Sequence, residues 1–271
     1  MARRRFGNRA GARKTVRDQG LLLVLALFFS LAAGLVGCIA LMRRMLLAGD
    51  VISHLALPGL GLAFAFKVNP LMGGAATLFL GTFLVWQLQK KTGLATEAAI
   101  GVVFAAALAI GAAVTPREDL AQSLFGQLER ISPAGFLLGL AAVLFVIVSI
   151  FLLRDQLSLS IFSTDLAAAT GVRIARLDLY FLLLFSLTVL VGLRFMGALL
   201  ASALIIVPSA TARQLTNKLS RFFLLAVVAG LLSVTAGFLL NALVFKLSTA
   251  GPMIAILSAV LFSLSLLGRA R

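Results

Sequence analysis

The sequence predicts an all-α, polytopic membrane protein with eight or nine transmembrane helices. Three observations carry that class. Hydrophobic residues make up 61% of the 271 and charged residues only 12%. The apolar residues fall in runs of roughly twenty, the length an α-helix needs to cross a bilayer, rather than in amphipathic patterns. The 24 Lys and Arg, against 9 Asp and Glu, sit mostly in the short connections and at the termini. In a soluble protein a net charge of +15 would suggest nucleic acid. Here it reads as topology and contact with anionic headgroups, with membrane lipids and no nucleic acid as partners.

Residues 1–20 form a basic N-terminal arm with seven Lys or Arg, read as flexible, and 21–271 form a single transmembrane domain. A cleaved secretory or twin-arginine signal is the alternative for the start. An apolar run of about 21 residues followed by many more spans favours a retained first helix. Apolar segments then fall at about 21–42, 46–66, 70–88, 95–114, 134–154, 178–212, 222–245 and 252–268. The stretch 178–212 is too long for one crossing. With Arg194 and Gly197 near its middle, it reads as a span that turns there into a shorter helix ending near Arg213. Pro208 kinks or ends that helix, and Pro252 marks the entrance to the last span. Trp86 beside "QLQKK" is an interfacial anchor, Glu97 opens the fourth segment at the interface, and Arg194 snorkels from a helix end.

Arg43 and Arg44, Lys90 and Lys91, Arg154 with Arg173 and Arg176, and Arg213 with Lys218 and Arg221 fall in alternate connections, which the positive-inside bias makes cytoplasmic. The acidic "TPREDLAQSLFGQLERIS" is then external and the C-terminal "GRAR" internal. The same alternation leaves the basic N-terminal arm outside, unless 21–42 does not cross simply.

The longest cytoplasmic connection lies at about 155–177. Ser163 or Thr164 is positioned to cap a short helix of little more than two turns, with Asp165 in its first turn, alanines on its surface and Gly171 at its end. A small-residue helix of this kind fits a groove on a partner. An ordinary amphipathic connector is the plainer reading.

Few chemical devices are available. No Gly-Lys dipeptide exists, so a P-loop is excluded, and HExxH and CxxC are absent. With one His and one Cys, Cys38, neither a disulfide nor a structural zinc site forms within one chain. The stretch "LLAGDVISHLALPG", 46–59, stands apart. Asp50 and His54 at i and i+4 share a helix face about one turn apart. An ionised carboxylate in hydrocarbon costs upward of about 2.5 kcal/mol, so the pair should face protein interior or a watery path. Pro58 has no N–H for the His54 carbonyl. Gly49, Ser53, Gly59 and Gly61 permit close helix approach. Three readings follow: a borderline divalent ion such as zinc or manganese, whose two ligands per chain become four across a two-fold axis; a proton relay; or a hydrogen-bonded pair that locks two helices together.

With these stretches in view, the chain resembles the membrane permease subunit of bacterial zinc/manganese ABC importers over about residues 20–268. "LMRRMLLAGDVISHLALPGLGLAF" resembles the family's Asp, Ser-His, Pro-Gly signature. "EAAIGVVFAAALAIG" is similar to its fourth span, "SLFGQLERIS" to its external loop, "STDLAAATGV" to its coupling segment and "MGALLASALIIVPSATA" to its late Gly, Pro and Ala-Thr-Ala pattern. The long basic arm, and Ser202 and Ser209 where Val and Ala are usual, depart from the family.

The resemblance implies a non-enzymatic permease in the bacterial cytoplasmic (inner) membrane. It would work as a homodimer with two copies of a cytoplasmic ATP-binding subunit and a periplasmic or lipid-anchored metal-binding protein. Zinc or manganese, with iron a further candidate, is the transported ion, and no cofactor is bound permanently. By position, Asp50 and His54 become the metal contacts. Ser53, Pro58, Gly59 and Pro208 line or gate the path, and Ser163, Asp165, Ala168 and Gly171 form the ATPase-coupling segment. A proton-coupled secondary metal carrier using Asp50 and His54 is the alternative. An intramembrane hydrolase using His54 with Ser53, and a permease for siderophore or cobalamin, are further competitors.

Overall fold

In hydrocarbon a backbone amide finds its partner only within its own segment, so apolar runs of bilayer length fold as helices. The computed structural model describes residues 2–45, 48–114, 133–245 and 250–268, and among these it is all-helical. The external connection 115–132, with its "SLFGQLERIS", and the terminal "RAR" lie outside the described residues.

Helix α1, Ala2–Met42, carries the basic arm on the same helix as the membrane segment Gly20–Met42. Two short helices follow, α2 (Ala48–His54) and α3 (Leu57–Ala65). Next come α4 (Pro70–Thr92), α5 (Thr96–Val114) and α6 (Pro133–Phe162). The short α7 (Thr164–Ala169) leads into α8 (Ile174–Met196) and α9 (Ala198–Leu215). Helix α10 (Leu219–Leu240) runs into a π-helical turn, Asn241–Phe245, before α11 (Gly251–Leu267).

Six of these segments, in α1, α4, α6, α8, α9 and α10, are long and apolar enough to cross a bilayer; Thr96–Gly111 and Gly251–Leu267 are apolar but shorter. The count of eight or nine spans is therefore not reached on length and composition, because the apolar segments of α5 and α11 are too short and 46–66 is not one helix. The 178–212 stretch does divide where expected: Gly197, at φ 84°, joins α8 to α9. That backbone conformation favours glycine. The α6 helix overruns its expected end at 154 by two turns, because "RDQLSLSIF" contains neither Gly nor Pro to stop it.

Helix α1 is central, packed against α6, α8, α9 and α10, while α3, α4 and α5 form a group joined to it through α2 and α8. Small residues set the close crossings. A Cβ on Gly59 of α3 would run into the Gly73 carbonyl of α4, and one on Gly73 into the Gly59 carbonyl, so these backbones touch. Gly37 of α1 meets the Ile205 carbonyl of α9 in the same way. Phe29, Phe181 and Phe185 fill the core, and a buried hydrogen bond of 2.6 Å joins Thr82 of α4 to Ser186 of α8.

One end of the bundle gathers the connections expected to be cytoplasmic. Arg43, just past α1, reaches Asp178 near the start of α8 at 2.6 Å and Ser160 near the end of α6 at 3.3 Å. At the same end the Trp86 indole N–H donates to the Ala175 carbonyl at 2.6 Å. Helices α1, α4 and α6 therefore finish where α8 begins.

Candidate metal centre

The break in the second apolar segment falls between His54 and Leu57. The Leu55 N–H donates to the Ile52 carbonyl at 3.0 Å and the Ala56 N–H to the Ser53 carbonyl at 3.3 Å, a tightened last turn that ends α2. Helix α3 then restarts with Pro58 as its second residue, where the missing N–H would have had no partner in the helix. Pro58 thus follows the break rather than forming it. Its lack of an N–H still removes the α-helical bond to the His54 carbonyl.

Asp50 sits in the first turn of α2 and His54 in its last, the carboxylate at the helix end that favours negative charge. Their depth follows from their neighbours. The His54 ring packs on Phe104, with centroids 5.8 Å apart, in the middle of α5. A Cβ on Gly49 would meet Phe185 and Ile205, which lie midway along α8 and α9. The broken helix therefore carries its acid and its imidazole to the level of the midpoints of α5, α8 and α9.

Both side chains are partly exposed. Neither forms a hydrogen bond or ion pair with the other or with any other described residue. The reading of this pair as a hydrogen-bonded lock between helices thus finds no support. Among the described residues no group of three or more His, Cys, Asp or Glu comes together. One chain presents two ligands, one oxygen and one nitrogen donor type, suited to a borderline divalent ion.

The other expected path residues are buried. Ser53 is 5% exposed and spends its hydroxyl on the Asp50 carbonyl at 2.6 Å. Pro58 and Gly59 are buried, Gly59 against α4. Pro208 is buried inside α9, 3.7 Å from where a Gly230 Cβ would lie.

The short helix expected after residue 163 forms as its cap predicts. The Leu166 N–H donates to the Ser163 hydroxyl at 3.2 Å, Asp165 lies in the first turn, and Gly171 follows at φ 82°. With six residues, α7 is shorter than the two turns expected, because Thr170 already closes it. Asp165 and Ala168 are exposed, whereas Ala167 is fully buried. The alanine surface misses the larger feature: Phe162 is 72% exposed and Leu166 54%. Their signal in the sequence is an apolar residue on either side of a polar cap.

A discontinuous helix with an acid and an imidazole at mid-depth, in a bundle of membrane-length helices, defines the class as a polytopic membrane transport protein. Residues 21–269 match the model of the ABC 3 transport family, and the chain belongs to that family. It is similar to "Manganese transport system membrane protein MntC" of Halalkalibacterium halodurans, 31% identical over 248 residues that cover 90% of this chain and 84% of the relative. It is also similar to "High-affinity zinc uptake system membrane protein ZnuB" of Haemophilus influenzae, 30% identical over 256 residues, 92% of this chain and 97% of the relative. Among solved structures it superposes on a chain of "PsaBC from Streptococcus pneumoniae in complex with Fab" with a TM-score of 0.74 and 25% identity, covering 92% of this chain and 90% of that one.

Proposed function

We propose that this chain is the permease subunit of an ATP-driven importer of divalent first-row metal ions, zinc or manganese, in the bacterial inner membrane. The observation that carries this reading is the partly exposed, unpaired Asp50–His54 couple at the mid-depth break between α2 and α3. The manganese and zinc transport relatives support the substrate class.

Two chains about a two-fold axis would supply two Asp and two His, a ligand charge of about −2 against the ion's +2. An ion held this way exchanges part of its water for side chains and still leaves, as conduction requires. The α2–α3 pair together with α5 and α11 would complete nine crossings, within the eight or nine expected. ATP would be hydrolysed by a separate cytoplasmic subunit that grips α7, and an external metal-binding protein would deliver the ion. The chain itself would perform no chemistry.

The test is uptake of radioactive zinc and manganese by cells producing the chain with its ATPase. Asp50→Asn and His54→Ala should each lower uptake at least about ten-fold while the complex still assembles. Normal uptake by both variants would overturn the reading. Uptake by the purified chain alone in vesicles with a pH gradient would instead make it a proton-coupled carrier.

A further inference from the structure

A cleft of about 590 Å³ opens between the end of α6 and the start of α8, beside the turn that follows α7. Its mouth holds Arg173, Arg176 and Gln156. Both arginines are exposed, and the ion pairs among described residues at this end, Arg43–Asp178 and Arg154–Asp155, use neither of them. The wall is apolar. Leu152 lines it and is 72% exposed, so the cleft opens sideways from the bundle, and Leu153 stands next to it. One helical turn deeper than Arg176, the Tyr180 hydroxyl lies 3.3 Å from the Ser149 hydroxyl, a polar pair beneath the cationic mouth.

The height of the cleft in the membrane is marked independently. Trp86, bonded to the Ala175 carbonyl, lies level with Arg173 and Arg176, and the Lys90 ammonium sits 5.2 Å over its ring. Tryptophan with flanking lysine marks the headgroup layer. The order from outside inward is therefore two unpaired guanidiniums, a hydroxyl pair, and leucines open to the side. A phospholipid has the same order: phosphate, ester carbonyls, acyl chain.

We infer that this cleft is a binding site for one anionic phospholipid of the cytoplasmic leaflet. Its phosphate would lie between Arg173 and Arg176, and one acyl chain along Leu152 and Leu153. Guanidinium forks match phosphate oxygens in pairs. Because α7 ends at Thr170 and Gly171, which also line the cleft, an occupied site would brace the segment proposed to couple to the ATPase. The inference rests on the membrane placement and not on the metal contacts, so a failure of the Asp50 and His54 tests leaves it standing.

The test is native mass spectrometry of the full chain released from nanodiscs of equal phosphatidylglycerol and phosphatidylcholine. The wild-type chain should keep one phosphatidylglycerol in preference to phosphatidylcholine. R173Q/R176Q should reduce its retention about thirty-fold, at roughly five-fold per charge near the surface. L153W, which fills the cleft and keeps both charges, should also reduce it, whereas R173K/R176K should keep most of it. K218Q/R221Q, at another connection of the same end, should leave it unchanged. Equal loss in K218Q/R221Q would mean nonspecific surface charge and overturn the site. So would full retention in R173Q/R176Q, or displacement of the lipid by millimolar inorganic phosphate. Loss of the ATP-binding subunit from R173Q/R176Q with the lipid still retained would assign the arginines to that partner and equally overturn it.

Discussion

The Arg43 guanidinium donates to the Asp178 carboxylate at 2.6 Å while lying 5.0 Å over the Phe181 ring. With Ser160 as its third contact, Arg43 ties the end of α1 to α6 and α8 beside the segment proposed for coupling. Arg43 side-chain exposure is 15% and that of Asp178 34%, so the pair is screened by water only in part.

Arg43→Gln should therefore destabilise the chain by about 1–2 kcal/mol, near the lower end for hydrogen bonds to a charged group and for ion pairs that are neither exposed nor fully buried. The thermal midpoint in detergent checks this, with a fall of about 3–6 °C expected. Asp178→Asn alone should cost a similar amount, and the double variant less than the sum, since both remove one pair.

Gly59→Ala and Gly73→Ala should each separate α3 from α4, because in either case the new methyl meets backbone of the opposite helix rather than a side chain that could move. A cost of about 1–3 kcal/mol is expected for overpacking of this kind. Gly101→Ala, with open space around it on α5, serves as the control. It should be neutral or stabilising by up to about 1 kcal/mol through helix propensity. Thermal midpoints of the three variants would separate contact from propensity, and equal effects would refute the crossing.

Leu166→Glu should weaken capture of the ATP-binding subunit by about ten-fold or more in co-purification while leaving the melting of the permease unchanged. Leu166 is more than half exposed on α7, so its replacement removes little internal packing. Ser163→Ala tests a different link: loss of its cap should cost about 1 kcal/mol of local helix stability, read as faster amide exchange across Thr164–Ala169.

His54→Asp replaces the nitrogen donor with oxygen and should shift preference from zinc toward manganese, since carboxylate-only sites suit the harder ion. Competition between the two metals for uptake measures it. An unchanged ratio would show that the imidazole does not touch the ion.

Much of this was legible in the sequence because its causes are local. Runs of apolar residues made membrane helices, Gly197 marked the turn between α8 and α9, and Ser163 with Gly171 bounded α7. The break near His54 was legible only in part. Pro58 announced an interruption, but where the helix ends depended on how 48–65 packs against α4, α5 and α8. The overrun of α6 to Phe162 was legible in the lack of Gly or Pro across "RDQLSLSIF", and the packing of that end on α7 and α8 supports it.

What the sequence by itself determined is the class of structure and the identity of the proposed ligands. A bilayer demands internally bonded helices, and only one acid–imidazole couple at helical spacing exists in the chain. What only the tertiary structure decided is where those ligands stand. Phe104, Phe185 and Ile205 from three other helices set Asp50 and His54 at mid-depth. Residues 50 to 156 positions apart in sequence, from His54–Phe104 to Gly49–Ile205, join in fixing that depth through packing between helices, and side-chain contacts of that range leave no periodicity or motif along the chain.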